Sequence, residues 1–187
     1  ITSVTRDDLP DGGAGHFARA IEAVRRECPG TGVEVLIPDF QGSRASLETV
    51  VAAAPEVLNH NVETVPRLYG AVRPQADFRR SIELLRAAKA LNPSLVTKSG
   101  LMVGLGETRS EILEVMAALR SASCDVITIG QYLGPSAAHH SVAEYVRPEA
   151  FEEYRLEALQ LGFRSAAASP FVRSSYRAET LYRIARS

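Results

Sequence analysis

His60, Asn61, Glu63 and Thr64 follow the apolar stub Val57-Leu58-Asn59 with only Val62 between them. An amide offers a donor and an acceptor, and a carboxylate accepts two bonds, so Asn61 and Glu63 could each hold a pair of ribose hydroxyls. An equal alternative has Thr64 capping a helix, Asn61 forming a turn and His60 satisfied within a core. A second segment runs Lys98-Ser99-Gly100-Leu101-Met102-Val103-Gly104-Leu105-Gly106-Glu107-Thr108. Its glycines let backbone approach a flat ligand. The spacing is neither a dinucleotide fingerprint nor a P-loop, since no third Gly falls at the required offset and no Gly-Lys-Ser/Thr closes it. Lys98 could reach a carboxylate from inside a barrel, or snorkel at a sheet edge.

Three further segments carry weaker signals. Asp7-Asp8-Leu9-Pro10-Asp11-Gly12-Gly13 reads as a turn exposing backbone polar groups to a ligand, or as a plain helix entry. Thr128 to Ser136, with Gln131-Tyr132-Leu133 at its centre, could leave backbone groups free to read an adenine edge. Arg173-Ser174-Ser175-Tyr176 reads most simply as a tail packing Phe171 and Tyr176 on the body.

These segments need elements to hold them, and the sequence alternates strands with helices. Phe17, Ile21 and Val24 recur at helical spacing within residues 14–27, and Pro29-Gly30 stops that helix. Val33 to Ile37 is a short buried strand closed by Pro38. Ser46 to Ala54 is helical up to Pro55, and Val57 to Asn59 falls where the next strand is due. Phe78, Ile82, Leu85 and Leu91 line a helix stopped by Asn92-Pro93. Leu95 to Val103 is a strand, and Thr108-Arg109-Ser110-Glu111 is a capping box opening a helix through Leu119. Asp125 to Leu133 is a strand, and Pro148 opens a helix that Gly162 ends. The last ten residues read as basic and frayed. Such alternation implies a parallel sheet, either open and doubly wound or a barrel. In both, function sits after the strand C-termini.

Composition narrows the class. At 187 residues one domain is the default. A net charge of −1 favours neither a nucleic-acid groove nor an anionic membrane, and no apolar run approaches a bilayer span. Cys28 and Cys124 are too far apart to pair as metal ligands by spacing, which suits packing roles in a reduced intracellular setting. No Met opens the chain, and Ile1-Thr2-Ser3-Val4 reads as part of a strand, so the expectation is that the native N-terminus lies upstream.

Taken together, these stretches resemble the lipoyl synthase family of radical S-adenosylmethionine enzymes. The likeness runs in order through Ile1–Gly13, Glu34–Phe40, Leu58–Tyr69, Val72–Phe78, Thr97–Thr108, Cys124–Ser136 and Val172–Ala178. The resemblance implies a partial six-unit (β/α) barrel at residues 1–165, lacking its first strand and N-terminal extension, with residues 166–187 folding over the mouth. It implies two [4Fe–4S] clusters, with the cysteine ligands upstream of this chain, and S-adenosyl-L-methionine as cofactor. The implied activity is sulfur insertion at C6 and C8 of a protein-bound octanoyl chain. The alternatives are a biotin-synthase-like enzyme, or a catalytically dead fragment that binds S-adenosylmethionine or a carrier.

By the same resemblance, Gly12 and Gly13 meet the amino-acid end of the cofactor, Asn61 and Glu63 face its ribose, and Lys98 and Ser99 approach its carboxylate. Gly104 to Glu107 pack around the adenosine, while Gln131, Tyr132 and Leu133 edge the adenine. Ser174 is an oxygen ligand to the auxiliary cluster; from its own chemistry, Arg173 could pair with a carboxylate at the rim. Implied partners are octanoylated carrier domains, namely the 2-oxoacid dehydrogenase E2 and the glycine cleavage H protein, and an electron donor such as flavodoxin or ferredoxin. No nucleic acid or membrane is implied, and the location would be the cytoplasm, or the mitochondrial matrix in a eukaryote.

Overall fold

The computed structural model describes residues 1–187. Five parallel strands form one sheet: β1 (Glu34–Leu36), β2 (Val57–Asn59), β3 (Val96–Val103), β4 (Val126–Gln131) and β5 (Ser165–Ala168). Their spatial order follows their sequence order. That settles the choice left open above. Successive right-handed crossovers in one direction put all connecting helices on one face, giving a half-barrel, whereas a doubly wound sheet must reverse its order. Thr2 adds a parallel bridge to Leu36, so the first residues take a further strand position at the β1 edge.

The convex face carries α1 (Ala14–Glu27), α2 (Arg44–Ala52), α4 (Phe78–Leu91), α5 (Arg109–Ser121) and α6 (Pro148–Gln160). Between them and the sheet lies the main core, which includes Val35, Leu58, Leu101, Val103, Ile127 and Ile129 from the strands. Local chemistry sets the helix starts. Asp77 accepts from the Arg80 N–H at the head of α4, and Thr108 with Glu111 completes the capping box of α5. α2 ends at Ala52, and Ala54 has φ 54° just before Pro55. Between β2 and α4 a 3-10 turn (Pro66–Leu68) continues into the short α3 (Tyr69–Val72).

The tail is the main departure from the sequence reading. Its last residues form α7 (Ala178–Arg186), an ordered helix rather than a frayed end. α7 packs on β3, β4 and β5 from the concave side. Val172, Leu181 and Ala185 join Val57, Val96, Val126 and Ala167 in a second apolar cluster. A bare Leu-sized side chain buried there contributes about 1.5–3 kcal/mol, enough to hold a short helix that propensity alone would not. The tail thus enters the concave face below the mouth. No helix is long and apolar enough to cross a membrane.

Candidate functional site at the half-barrel mouth

Parallel strands point registered residues to the same face. Lys98 pairs with Asn59 and Val126, and Gly100 with Thr128, so these positions share the concave side. After Asn59 the chain leaves β2, then pairs again with β3. The Glu63 N–H donates to the Gly100 carbonyl (2.9 Å) and the Glu63 carbonyl accepts from Met102 (2.8 Å). This re-pairing holds Glu63 at φ 63°, a conformation a non-glycine residue adopts at a cost.

The result is a polar corner that its own chain does not satisfy. Asn61 Nδ2 donates to Glu63 Oε1 at 3.0 Å. Asn61 Oδ1 is buried with no partner, and so is Thr64 Oγ1. Burial pushes the Glu63 carboxyl above its ordinary value, against the weaker downward pull of Asn61 and Arg73. Gly100 makes room for the corner, because a Cβ there would lie 2.7 Å from Asn61 Oδ1 and 3.2 Å from Thr128 Oγ1.

Two residues that sequence reasoning passed over fix this corner. Tyr69 Oη donates to the Val62 carbonyl at 2.7 Å. Arg73 donates to the carbonyls of Val62 (3.1 Å) and Asn61 (3.3 Å) and lies over the Tyr69 ring. Pro66 was the available signal: a first-turn proline predicts a helix that puts Tyr69 and Arg73 four residues apart on one face. His60 belongs to the core, as its alternative reading had it. Nδ1 faces the Ile37 carbonyl (2.9 Å) and Nε2 faces Ser81 Oγ (3.0 Å). Burial lowers its pKa, so the neutral ring carries its proton on Nδ1 and accepts from Ser81. Thr64 caps no helix; its N–H closes a tight turn on the Val62 carbonyl.

Most other candidates are engaged with their own chain. Ser99 Oγ accepts from the Val62 N–H at 3.3 Å and so orients the polar corner from behind. The Glu107 carboxylate accepts from Gly104 (2.6 Å) and Leu105 (2.9 Å). Gln131 donates to the carbonyls of Tyr132 and Glu144 and accepts from Val146, which uses both of its amide protons and one lone pair of its oxygen. Tyr132 Oη donates to the His140 carbonyl at 2.8 Å, while Leu133 stays exposed at the rim. Gly13 and Gly15 donate to Asp11, and Gly12 sits against the Phe40 ring. These backbone donors pull the Asp11 carboxyl down and are not offered to a ligand.

Lys98 is 1% exposed. It pairs with Glu34 at 2.8 Å and donates to the Ser174 carbonyl. Arg173 does not meet a rim carboxylate; it donates to the carbonyls of Val172 (2.6 Å) and Pro170 (3.3 Å) in its own turn.

The donor chemistry fits one implied group and not the other. An orphan amide oxygen beside a buried carboxylate matches a vicinal diol, which offers two O–H donors. An iron–sulfur cluster takes thiolates. Cys28 is exposed at the end of α1, and Cys124 is buried ahead of β4, its thiol pushed up to about 12 mainly by burial. Both lie at the strand entry ends, opposite the mouth. No three His, Cys, Asp or Glu side chains converge anywhere, so these residues by themselves do not fit a cluster.

Comparison with known proteins agrees with this geometry. Methylornithine synthase shares the fold, with a TM-score of 0.62 at 13% identity over 91% of this chain and 61% of that one. The lipoyl synthase of Caldanaerobacter subterraneus subsp. tengcongensis is 57% identical over 186 residues, covering 100% of this chain and 65% of the relative. That of Chlorobium limicola is 56% identical over 179 residues, 96% of this chain and 61% of the relative. The chain thus spans under two thirds of the length of these curated relatives. The family model of the Radical SAM superfamily matches residues 1–119, and the chain belongs to that superfamily.

Proposed function

We propose that this chain is the S-adenosylmethionine-binding body of a lipoyl synthase, which inserts sulfur at C6 and C8 of an octanoyl chain carried on a protein. The observation that carries the reading is the 57% identity to a curated lipoyl synthase over the whole of this chain. The geometry supports its cofactor half. Asn61 Oδ1 and the Glu63 carboxylate are the underpaired acceptors at the mouth, and the ribose diol supplies the donors they lack. When bound, S-adenosylmethionine supplies the hydrogen-abstracting chemistry of the superfamily.

The residues of this chain then have distinct tasks. Asn61 and Glu63 grip the diol. Tyr69, Arg73 and Ser99 hold the backbone that presents them. Gly100 keeps the space that a side chain would fill. The Gly104–Glu107 loop with Gln131 and Tyr132 forms a rigid wall beside the site, and Gly12-Gly13 gives a tight helix entry. Two [4Fe–4S] clusters, with Ser174 as an oxygen ligand to one, belong to this reading. So do octanoylated E2 and H-protein carriers, a flavodoxin- or ferredoxin-like reductant and a cytoplasmic setting.

The test is complementation. The intact protein should restore growth without lipoate to a bacterial strain lacking lipoyl synthase, and its Glu63→Ala variant should fail to. Rescue of a biotin-requiring strain in place of the lipoate-requiring one would overturn the assignment.

A further inference from the structure

Lys98 is a cation sealed inside the half-barrel. Its neighbours on the concave face form an apolar layer: Val96, one step nearer the strand entry end, its partner Val57, and Val126, in register with Lys98, pack with Leu181 and Ala185. An apolar residue at 98 would continue that layer, and a buried ammonium without partners is strongly unfavourable. Its partners are on the page. Glu34 lies 2.8 Å away and is itself held by Asn59 Nδ2 at 3.3 Å. The remaining contact reaches 76 residues along the chain to the Ser174 carbonyl.

The tail is shaped to make that contact. After β5 the Pro170 carbonyl accepts from the Gln131 N–H at 3.2 Å. The Val172 carbonyl then lies against Gly130, where any Cβ would collide with it. The Tyr176 N–H closes a turn on the Arg173 carbonyl at 2.9 Å, and Ser174 sits inside that turn. On β3, Lys98 is one concave step before Gly100, the residue that abuts Asn61.

We infer that Lys98 is a positioning residue that ties the Ser174 turn to the concave face, one side-chain layer beneath the Asn61–Glu63 corner. Glu34 neutralises the tether and Asn59 orients Glu34. Gly130 admits the chain, and Val172, Leu181 and Ala185 supply apolar anchorage on either side of the polar contact. The tether's bearing on turnover rests on the reading of Ser174 given above, but its existence does not.

The experiment compares the intact protein with Lys98→Met and with the double variant Lys98→Met/Glu34→Gln. Removing both charges together avoids an orphaned carboxylate, and the Gln amide oxygen still accepts from Asn59. Hydrogen–deuterium exchange is read at residues 172–178 and, as the internal reference, in β3 and β4. The tether predicts at least tenfold faster exchange at 172–178 in the double variant, with exchange in β3 and β4 and the melting temperature unchanged. S-adenosylmethionine affinity is measured on the same variants. Unchanged exchange at 172–178 would show that the apolar anchors suffice and would overturn the inference. So would a uniform rise across the sheet, which marks a general packing role. A tenfold loss of S-adenosylmethionine affinity with a still tail would reassign Lys98 to the ligand. Failure of the complementation test leaves each of these readouts intact, so the two ideas fail separately.

Discussion

The two sides of the mouth solve the same problem in opposite ways. On the β3–β4 side, Gly104, Leu105, Glu107, Gln131, Tyr132 and His140 satisfy one another through short bonds within the chain. On the β2 side, Asn61 Oδ1 and Thr64 Oγ1 are buried without partners, and Glu63 sits in a strained conformation with a raised pKa. A buried polar group left unpaired costs about 1–3 kcal/mol, and whole domains are stable by only about 5–15 kcal/mol. Under the reading proposed above, a bound ligand completes that corner. Polar residues at the strand ends are therefore not equivalent: one rim satisfies itself, and the other holds the underpaired groups to which the proposed reading assigns the ligand.

Gly104→Ala should break the scaffold side hardest. Gly104 has φ 97°, and a Cβ would meet the Gln131 amide and the Glu144 carbonyl. Strain plus overpacking should cost roughly 2–4 kcal/mol of stability in denaturant unfolding, with ligand affinity of the folded fraction preserved. Lost affinity at full stability would make this rim a ligand contact. Gly100→Ala does the converse. Its methyl displaces Asn61, so calorimetry should show at least tenfold weaker S-adenosylmethionine binding, about 1.4 kcal/mol, with a smaller change in unfolding midpoint.

The pH dependence sharpens the contrast further. Because burial raises the pKa of Glu63, the folded chain holds that proton more tightly than the unfolded chain does. Its contribution to stability is fully present below the unfolded pKa and is lost as pH rises through the raised folded value. Diol binding favours the anion, so affinity should climb over that same upper range, and Glu63→Gln should flatten the profile. An unchanged profile in Glu63→Gln would detach the titration from this residue. On the scaffold side, Arg67 holds Glu111 down to about 2, chiefly by side-chain hydrogen bonding. That contribution is present above the ordinary carboxylate range and is lost as pH falls toward the depressed value. Arg67→Ala should therefore give the smallest effect, below that of either glycine substitution at neutral pH and weaker still in salt. A larger loss would mean that this rim depends on the ion pair.

Periodicity and punctuation made much of the frame legible. The capping box at Thr108, the proline at 148 and the stop at Asn92-Pro93 act locally, and the structure places α5, α6 and α4 accordingly. β5 was missed because Ser-Ala-Ala-Ala has little strand character; Ala167 is small where the tail cluster packs. α7 was read as frayed because its stability comes from a concave face assembled by distant strands. The site was half legible. Residue types alone marked Asn61 and Glu63 as suited to a diol. They could not show that Glu107 and Gln131 spend their polar groups on neighbouring backbone, or that the carboxylate Lys98 reaches belongs to Glu34, 64 residues earlier.

The most direct test of the underpaired corner is a two-by-two binding measurement. The intact protein and its Glu63→Ala variant are each titrated with S-adenosylmethionine and with an analogue lacking both ribose hydroxyls. If Glu63 grips the diol, wild type should lose about 1–3 kcal/mol on going to the analogue, and Glu63→Ala should discriminate far less between the two ligands. Equal discrimination by wild type and Glu63→Ala would contradict the account, because the hydroxyls would then be read elsewhere.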